Sequence, residues 1–280
     1  MVVEKIDILE SQSIFNLWEK KREWVESTDF YFSFSKLKQF AVSPLNFVEY
    51  MVGTSTKTDS MNFGQIDHVL ILEGEAVFNS QFVVLDRPTD LRCNDSKNGF
   101  IGRLEHELLI KEAALINKKI VKKNDMEKAL RIREMLMQDS VCREMLLDSE
   151  KEIAVEYELL HNDTFRRFKG RIDGAGQGFK FDLKNMANFT NKNLRSHILN
   201  EKLHIQAAIY QMSNVGHFDD DYFLLACDGN AVLPIQLSRD IIRQGVKDLR
   251  KILDKFELCT LEYRWFESVG FWHKGGVMVI

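Results

Sequence analysis

The pattern of apolar positions changes its period near the middle of the chain. Upstream of residue 150 apolar residues recur at helical spacing. Ile14, Leu17 and Trp18 share one helix face within a polar lead-in over residues 1–30. The stretch Ser33 to Phe40 predicts a helix with Ser35 as its N-cap and an end near Ser43-Pro44. A second helix follows from Pro44 to Val52, carrying Phe47, Val48 and Met51. The run MNFGQIDHVLIL has apolar residues at 63, 66, 69, 70 and 72, which predicts a buried helix with His68 near its middle. Residues 82–85 (FVVL) read as a short strand, and the rest of 80–110 carries no clear period. Residues 103–121 and 125–147 read as two amphipathic helices, the second opened by Asn124 or Asp125.

Beyond residue 150 the period becomes two. Ile153, Val155, Tyr157 and Leu159 alternate with Glu152, Ala154, Glu156 and Glu158, as on a strand. His161-Asn162-Asp163 form a turn, and Thr164 to Ile172 is the returning strand. Gly176-Gln177-Gly178 turn again into a third strand, Phe179 to Leu183. A helix from Leu194 to Met212, a buried strand from Tyr222 to Cys227 and a last helix from Ser238 to Leu258 complete the order. The expected fold is α/β: a mixed central sheet flanked by helices, behind a helical N-terminal half. We expect one domain over residues 1–280, helical to 150 and sheet-based after it, because no linker or repeat is visible.

Composition narrows the classes. A chain that is 45% hydrophobic and 11% aromatic can bury one sizeable core. Its net charge of −4 provides no global field toward nucleic acid, so any such contact needs local basic patches. Candidates are Lys118, Lys119, Lys122 and Lys123, then Arg166, Arg167, Lys169 and Arg171, then the polar loop from Phe189 to Arg195. Cys93, Cys142, Cys227 and Cys259 are widely spaced, which argues against a zinc ribbon or iron–sulfur cluster and suits a reducing cytoplasm. The start MVVEKIDILESQS lacks an apolar signal core, and no run approaches the roughly 20 apolar residues of a membrane span. These features predict a cytoplasmic protein with no membrane partner.

The candidate chemistry lies on the third strand. In Phe181-Asp182-Leu183-Lys184, period two puts Asp182 and Lys184 on one face. A hairpin with a Gly-rich turn can bring Asp173, in Gly170-Arg171-Ile172-Asp173, beside Asp182. Two adjacent carboxylates form a hard oxygen site suited to Mg²⁺ or Mn²⁺. Lys184, pointing the same way, can orient an attacking water or stabilise charge developing on phosphorus. Taken alone, the same pattern also reads as a charged strand face on which Lys184 pairs with Asp182.

In sequence order, Gly170-Arg171-Ile172-Asp173, Asp182-Leu183-Lys184 and Gln206-Ala207-Ala208-Ile209-Tyr210 resemble the G-x-x-D, D-x-K and Q-x-x-x-Y elements of RecB-type PD-(D/E)XK nucleases. His68, in Phe63-Gly64-Gln65-Ile66-Asp67-His68, matches the upstream helical histidine of that branch. Ser33-Phe34-Ser35-Lys36-Leu37, Ser43-Pro44 and MNFGQIDHVLILEGE are similar to the exonuclease VIII (RecE-like) phage and prophage group. The resemblance spans residues 31–212. It implies a restriction-endonuclease-like fold, with His68, Asp173, Asp182 and the Leu183 carbonyl as ligands of Mg²⁺, Mn²⁺ being a substitute. It makes Lys184 the catalytic lysine, lets Gln206 and Tyr210 contact DNA or brace the site, and gives His204 a supporting role. The upstream acid is open among Glu152, Glu156 and Glu158: Glu156 is favoured, because its place in the strand before Gly170 fits best, with Glu152, which directly follows the helix pair, second. Asn185 departs from the Thr or Ser common after the lysine.

The function implied is a Mg²⁺-dependent DNA exonuclease acting on duplex ends, beside a single-strand annealing protein and as a ring-shaped homo-oligomer. The competing readings are an endonuclease of the same fold in CRISPR or repair, and a DNA-binding module whose site has decayed.

Overall fold

The structure is a computed structural model that describes residues 2–54, 59–85, 108, 110–113, 115–186 and 191–268. Helix α1 (Val2–Glu26) leads to a short strand β1 (Tyr31–Phe32), α2 (Phe34–Val42) and α3 (Pro44–Val52). Ser33, not Ser35, caps α2: its side chain accepts from the Lys36 N–H. The reason is topological. β1 is paired through Phe32, so Ser33 is the first residue free to turn. Ser43 then ends α2 and caps α3, with Pro44 at the first turn where its missing N–H costs nothing.

Helix α4 (Asp59–His68) runs into a π-helical turn, Val69–Glu73, closed by Gly74 at φ +90°. His68 therefore stands at the junction of two helical pitches rather than in mid-helix. After α5 (Glu75–Gln81) comes β2 (Phe82–Leu85), paired in parallel with β3 (Lys119–Lys122). β3 takes the end of the helix expected over 103–121, of which residues 103–107, 109 and 114 lie outside the described residues. The expected helix 125–147 is two helices, α6 (Lys123–Gln138) and α7 (Ser140–Leu147). They break at Asp139, whose side chain accepts from the Cys142 N–H and starts α7 afresh.

β4 (Ser149–His161) and β5 (Thr164–Gly176) form a long antiparallel hairpin. Its turn, Asn162-Asp163, has both residues at positive φ, the geometry of tight two-residue hairpin loops. β6 (Phe179–Asn185) returns antiparallel to β5, and β7 (Asp221–Cys227) lies parallel to β6. β8 (Val232–Leu237), which the sequence pattern did not reveal, pairs antiparallel with β7. Pro234 obscures β8 in the sequence, and β8 tolerates it because, among the described residues, no strand pairs with its outer edge. The result is a six-stranded mixed sheet in the order β1-β5-β6-β7-β8, with β4 on the other edge of β5.

Helices cover both faces of this sheet. On one face α8 (Asn191–Asn200), α9 (Leu203–Gln211) and α10 (Arg239–Leu261) join α1–α3 over Val155, Phe168, Ile172, Tyr222 and Leu224. On the other, α6 and α7 pack on Phe181, Leu183, Leu225 and Cys227. β7 is apolar on both faces because both are buried. The expected helix 194–212 is divided at Lys202, which takes a left-handed φ of 61° so that α9 can turn onto the sheet. Trp265 is fully buried against Trp18, Phe47 and Phe256, so it is a packing residue; Phe271 and Trp272 lie outside the described residues. No described helix is long and apolar enough to cross a membrane.

The closest approach between α9 and α10 is at Gly245, where a Cβ would stand 2.0 Å from the His204 carbonyl oxygen. That neighbour is backbone and cannot swing aside. Gly245→Ala is therefore expected to lower stability by about 1–3 kcal/mol, to be read from chemical denaturation with an unchanged slope.

Candidate active site

The site forms where β5 and β6 part. They share three pairs, Gly174 with Phe181, Ala175 with Lys180 and Gly176 with Phe179. Beyond the last pair the ladder is continued by a side chain: the N–H of Leu183, two residues past Phe181, donates to Asp173 Oδ2 at 2.7 Å. The Leu183 carbonyl accepts from His68 Nε2 at 3.0 Å. A backbone unit that has lost its strand partner is thus satisfied by two of the predicted site residues.

Because Nε2 carries the proton given to Leu183, the other ring nitrogen of His68 faces the acids. Nδ1 lies 3.6 Å from Asp173 Oδ2 and 3.9 Å from Glu152 Oε1. Single ligand atoms of His68, Glu152 and Asp173 all fall within 4.8 Å of one another. Burial opposes protonation of the imidazole, but Asp173 and Glu152 outweigh it and raise His68 to about 9.

Asp182 is 1% exposed and uses both oxygens inside the protein. Oδ1 accepts from Gln206 Nε2 at 2.8 Å, and Oδ2 lies 2.6 Å from the Lys184 ammonium. Lys184 is held above its ordinary range because Asp182 and Asp173 overcome the effect of burial. The Asp173 carboxyl is pushed up by burial and by the neighbouring Asp182.

The sequence-predicted residues divide into two groups. Brought together are His68, Asp173, Asp182, Leu183, Lys184, Gln206 and Tyr210. Gln206 and Tyr210 face the sheet from α9, and a Cβ at Gly170 would lie 2.9 Å from Tyr210 Cε1. The glycine of G-x-x-D is therefore the space into which the tyrosine ring fits. Glu156 stands apart: its carboxylate meets Arg167 at 2.9 Å and Lys169 at 3.8 Å. Register explains this, since Glu156 pairs with Lys169, four residues before Asp173. Glu158 pairs with Arg167, further still. Glu152 is the acid that reaches the cluster. The flanking pairs Lys151 with Gly174 and Ile153 with Ile172 set it across from Asp173. Counting back from the two-residue turn was the signal that could have selected it. Glu152 holds a left-handed φ of 54° within a strand, a costly conformation for a non-glycine residue and one that clusters at functional sites. It is fastened by Arg171 at 2.7 Å.

His204 is buried between α9 and α10, facing Asp248 at 3.3 Å, away from the acids. Of the basic strip on β5, Arg166 pairs with Glu257, while Arg167 and Lys169 share Glu156. Asn185 donates to Asp67 Oδ2 at 2.6 Å and so links β6 to α4, a contact with no signature in the sequence.

Two carboxylates and one imidazole converging at the fork, with Asp182 beside them, fit a hard divalent cation. His68 Nδ1, Glu152 and Asp173 would hold it, and its charge would relieve the mutual repulsion of the acids. The Leu183 carbonyl, expected as a ligand, is bonded to His68 in this structure.

A carboxyl raised on folding binds more protons folded than unfolded, so its ionisation above neutral pH costs stability. Asp173→Asn keeps an oxygen for the Leu183 N–H and removes the charge. In chelator at pH 8 it should raise the melting temperature by roughly 2–4 °C per kcal/mol recovered, with the gain shrinking toward pH 5. An unchanged or lower melting temperature at pH 8 would contradict the charge argument. In the same preparation Glu152→Gln should weaken Mn²⁺ binding about 10-fold or more, whereas Glu156→Gln should leave the calorimetric isotherm unchanged.

Comparison with known proteins agrees with this fold. A crystal structure of a protein from Eubacterium rectale described as a "Putative exonuclease" superposes with a TM-score of 0.57 at 15% identity, covering 85% of each chain. A second structure, of a protein named SSO0001, reaches a TM-score of 0.28 at 16% identity over 52% of this chain and 68% of its own, and carries no argument. No curated protein matches the sequence. The family model described as "PDDEXK-like domain of unknown function (DUF3799)" matches residues 33–261. The chain belongs to that family, and through it to the PD-(D/E)XK superfamily.

Proposed function

We propose that this chain is a metal-dependent deoxyribonuclease that degrades duplex DNA from its ends. The observation that carries the reading is the convergence of His68, Glu152 and Asp173 beside the Asp182–Lys184 pair. A decayed site would have no reason to keep the carboxylates of Asp173 and Asp182 crowded together out of water. Mg²⁺ is the resident cation on this reading, with Mn²⁺ able to replace it because imidazole accepts the softer ion. When bound, the cation supplies Lewis acidity toward a phosphodiester oxygen and a lowered pKa for water.

The chain's own residues do the rest. His68 presents Nδ1 because Nε2 is committed to Leu183. Glu152 and Asp173 supply anionic oxygens, and Arg171 keeps Glu152 ionised against the effect of burial. Lys184 holds its charge through Asp182 and stabilises negative charge as it grows on phosphorus. Gln206 keeps Asp182 in one rotamer. Tyr210 is buried near Asp182, with the Gln206 side chain and the Arg171 backbone within reach of its hydroxyl, and braces the strand that carries Asp173.

The preference for ends, the pairing with a single-strand annealing protein and the ring assembly rest on the resemblance of the motifs to the RecE-like group. The name carried by the Eubacterium rectale protein points the same way. End-labelled linear and closed circular duplex, digested with and without Mg²⁺, separates the readings. We expect only the linear DNA to be lost, only with metal, and at least ~100-fold more slowly for Asp182→Ala and Lys184→Ala. Nicking of circles would move the assignment to an endonuclease. Activity that survives Asp182→Ala would remove the site assignment altogether.

A further inference from the structure

Three buried polar atoms of Asp182, Gln206 and Tyr222 have no hydrogen-bond partner among the described residues: Gln206 Oε1, the Tyr222 hydroxyl, and Asp182 Oδ2, whose charge is met by the Lys184 ammonium at 2.6 Å. Gln206 cannot turn its amide to relieve the first, because Nε2 is bound to Asp182 Oδ1 and a flip would set oxygen against carboxylate. Gln206 therefore needs a donor on its oxygen side. Tyr222 is fully buried on β7, opposite Lys180, on the sheet face that α9 covers. Its phenol lies within electrostatic reach of Asp182, Tyr210 and Asp173, and burial together with these groups keeps it protonated. It is a permanent donor without an acceptor, under the same helix that carries an acceptor without a donor. Two unpaired groups of complementary type, both buried, are costly apart and cheap together.

We propose that Tyr222 is a positioning residue for this site: its hydroxyl supplies, across one buried water, the hydrogen bond that Gln206 Oε1 lacks. The chain Tyr222–Gln206–Asp182–Lys184 then runs from β7 through α9 to β6. It fixes from behind the Asp182 carboxylate, which borders the cation site of His68, Glu152 and Asp173, as hydrogen-bonded groups around a metal site orient what they touch. Tyr222 belongs to none of the motif elements, and the inference rests on the proposed function, in which Asp182 borders that cation.

The test is Mn²⁺ titration calorimetry on the full chain for wild type, Tyr222→Phe, Gln206→Ala and the double variant, with melting temperatures recorded beside each. Tyr222→Phe should weaken Mn²⁺ binding about 10-fold and add nothing once Gln206 is alanine. Removal of a hydroxyl that truly has no partner would instead leave Mn²⁺ affinity at the wild-type value and the melting temperature equal or higher. That result overturns the proposal, as would equal losses from Tyr222→Phe in both backgrounds. Wild type that binds no Mn²⁺ overturns the metal reading itself, and this inference with it. Should Tyr222→Phe not fold, a high-resolution crystal structure of the wild type decides. A hydroxyl that shares no ordered water with Gln206 Oε1 would end the proposal.

Discussion

The site depends on how one peptide unit, at Leu183, is satisfied after its strand neighbour has left. β5 and β6 part after Gly174 and Phe181, and the Leu183 N–H, two residues on along β6, would be orphaned in a closed core. Asp173 takes the place of the missing carbonyl, and His68 meets the Leu183 oxygen. An acid that completes a ladder cannot rotate away without exposing a buried donor, so Asp173 is fixed by the same force that builds the sheet. His68 is fixed the same way from α4, and its free nitrogen is thereby aimed at Asp173 and Glu152.

This arrangement is expensive. Asp173 and Asp182 crowd two carboxylates into a buried space, and Glu152 reaches them through a left-handed backbone. Lys184 and Arg171 return part of the missing charge. Strain and like-charge repulsion at one place, supported by a well-packed sheet around it, are the mark of a site kept for chemistry rather than for stability. The contrast with the rest of the β4–β5 hairpin is instructive. Further up the same strands Glu156 neutralises Arg167 and Lys169, a self-contained ladder of ion pairs at an exposed surface. Glutamates of one alternating series thus serve two ends, decided by register alone.

Much of the fold was legible because periodicity reports burial. The meander from β4 to β6, the buried β7 and the long α10 all follow from alternation or helical spacing along the chain. What was misread shares a cause: local signals overruled by tertiary pairing. Lys119–Lys122 continues a helical pattern yet becomes a strand because β2 is there to pair with it. Lys202 interrupts a continuous apolar helix because α9 must turn onto the sheet. Pro234 hid a strand that only an unpaired outer edge could accommodate.

For the site, the sequence alone determined which residue types exist at which spacing. Asp182 and Lys184 share a face because strands alternate, and Gln206 and Tyr210 share one because helices repeat near four. These are local facts, set by covalent geometry. Which glutamate joins them was not local. Glu152, Glu156 and Glu158 are equivalent in pattern and differ only in what the hairpin sets opposite each one. The fork at Leu183, the Gly170 space filled by Tyr210 and the bond from Asn185 to Asp67 join residues far apart in the chain. Only packing brings such residues within a few ångströms, and contacts that depend on packing leave no period in the sequence to read.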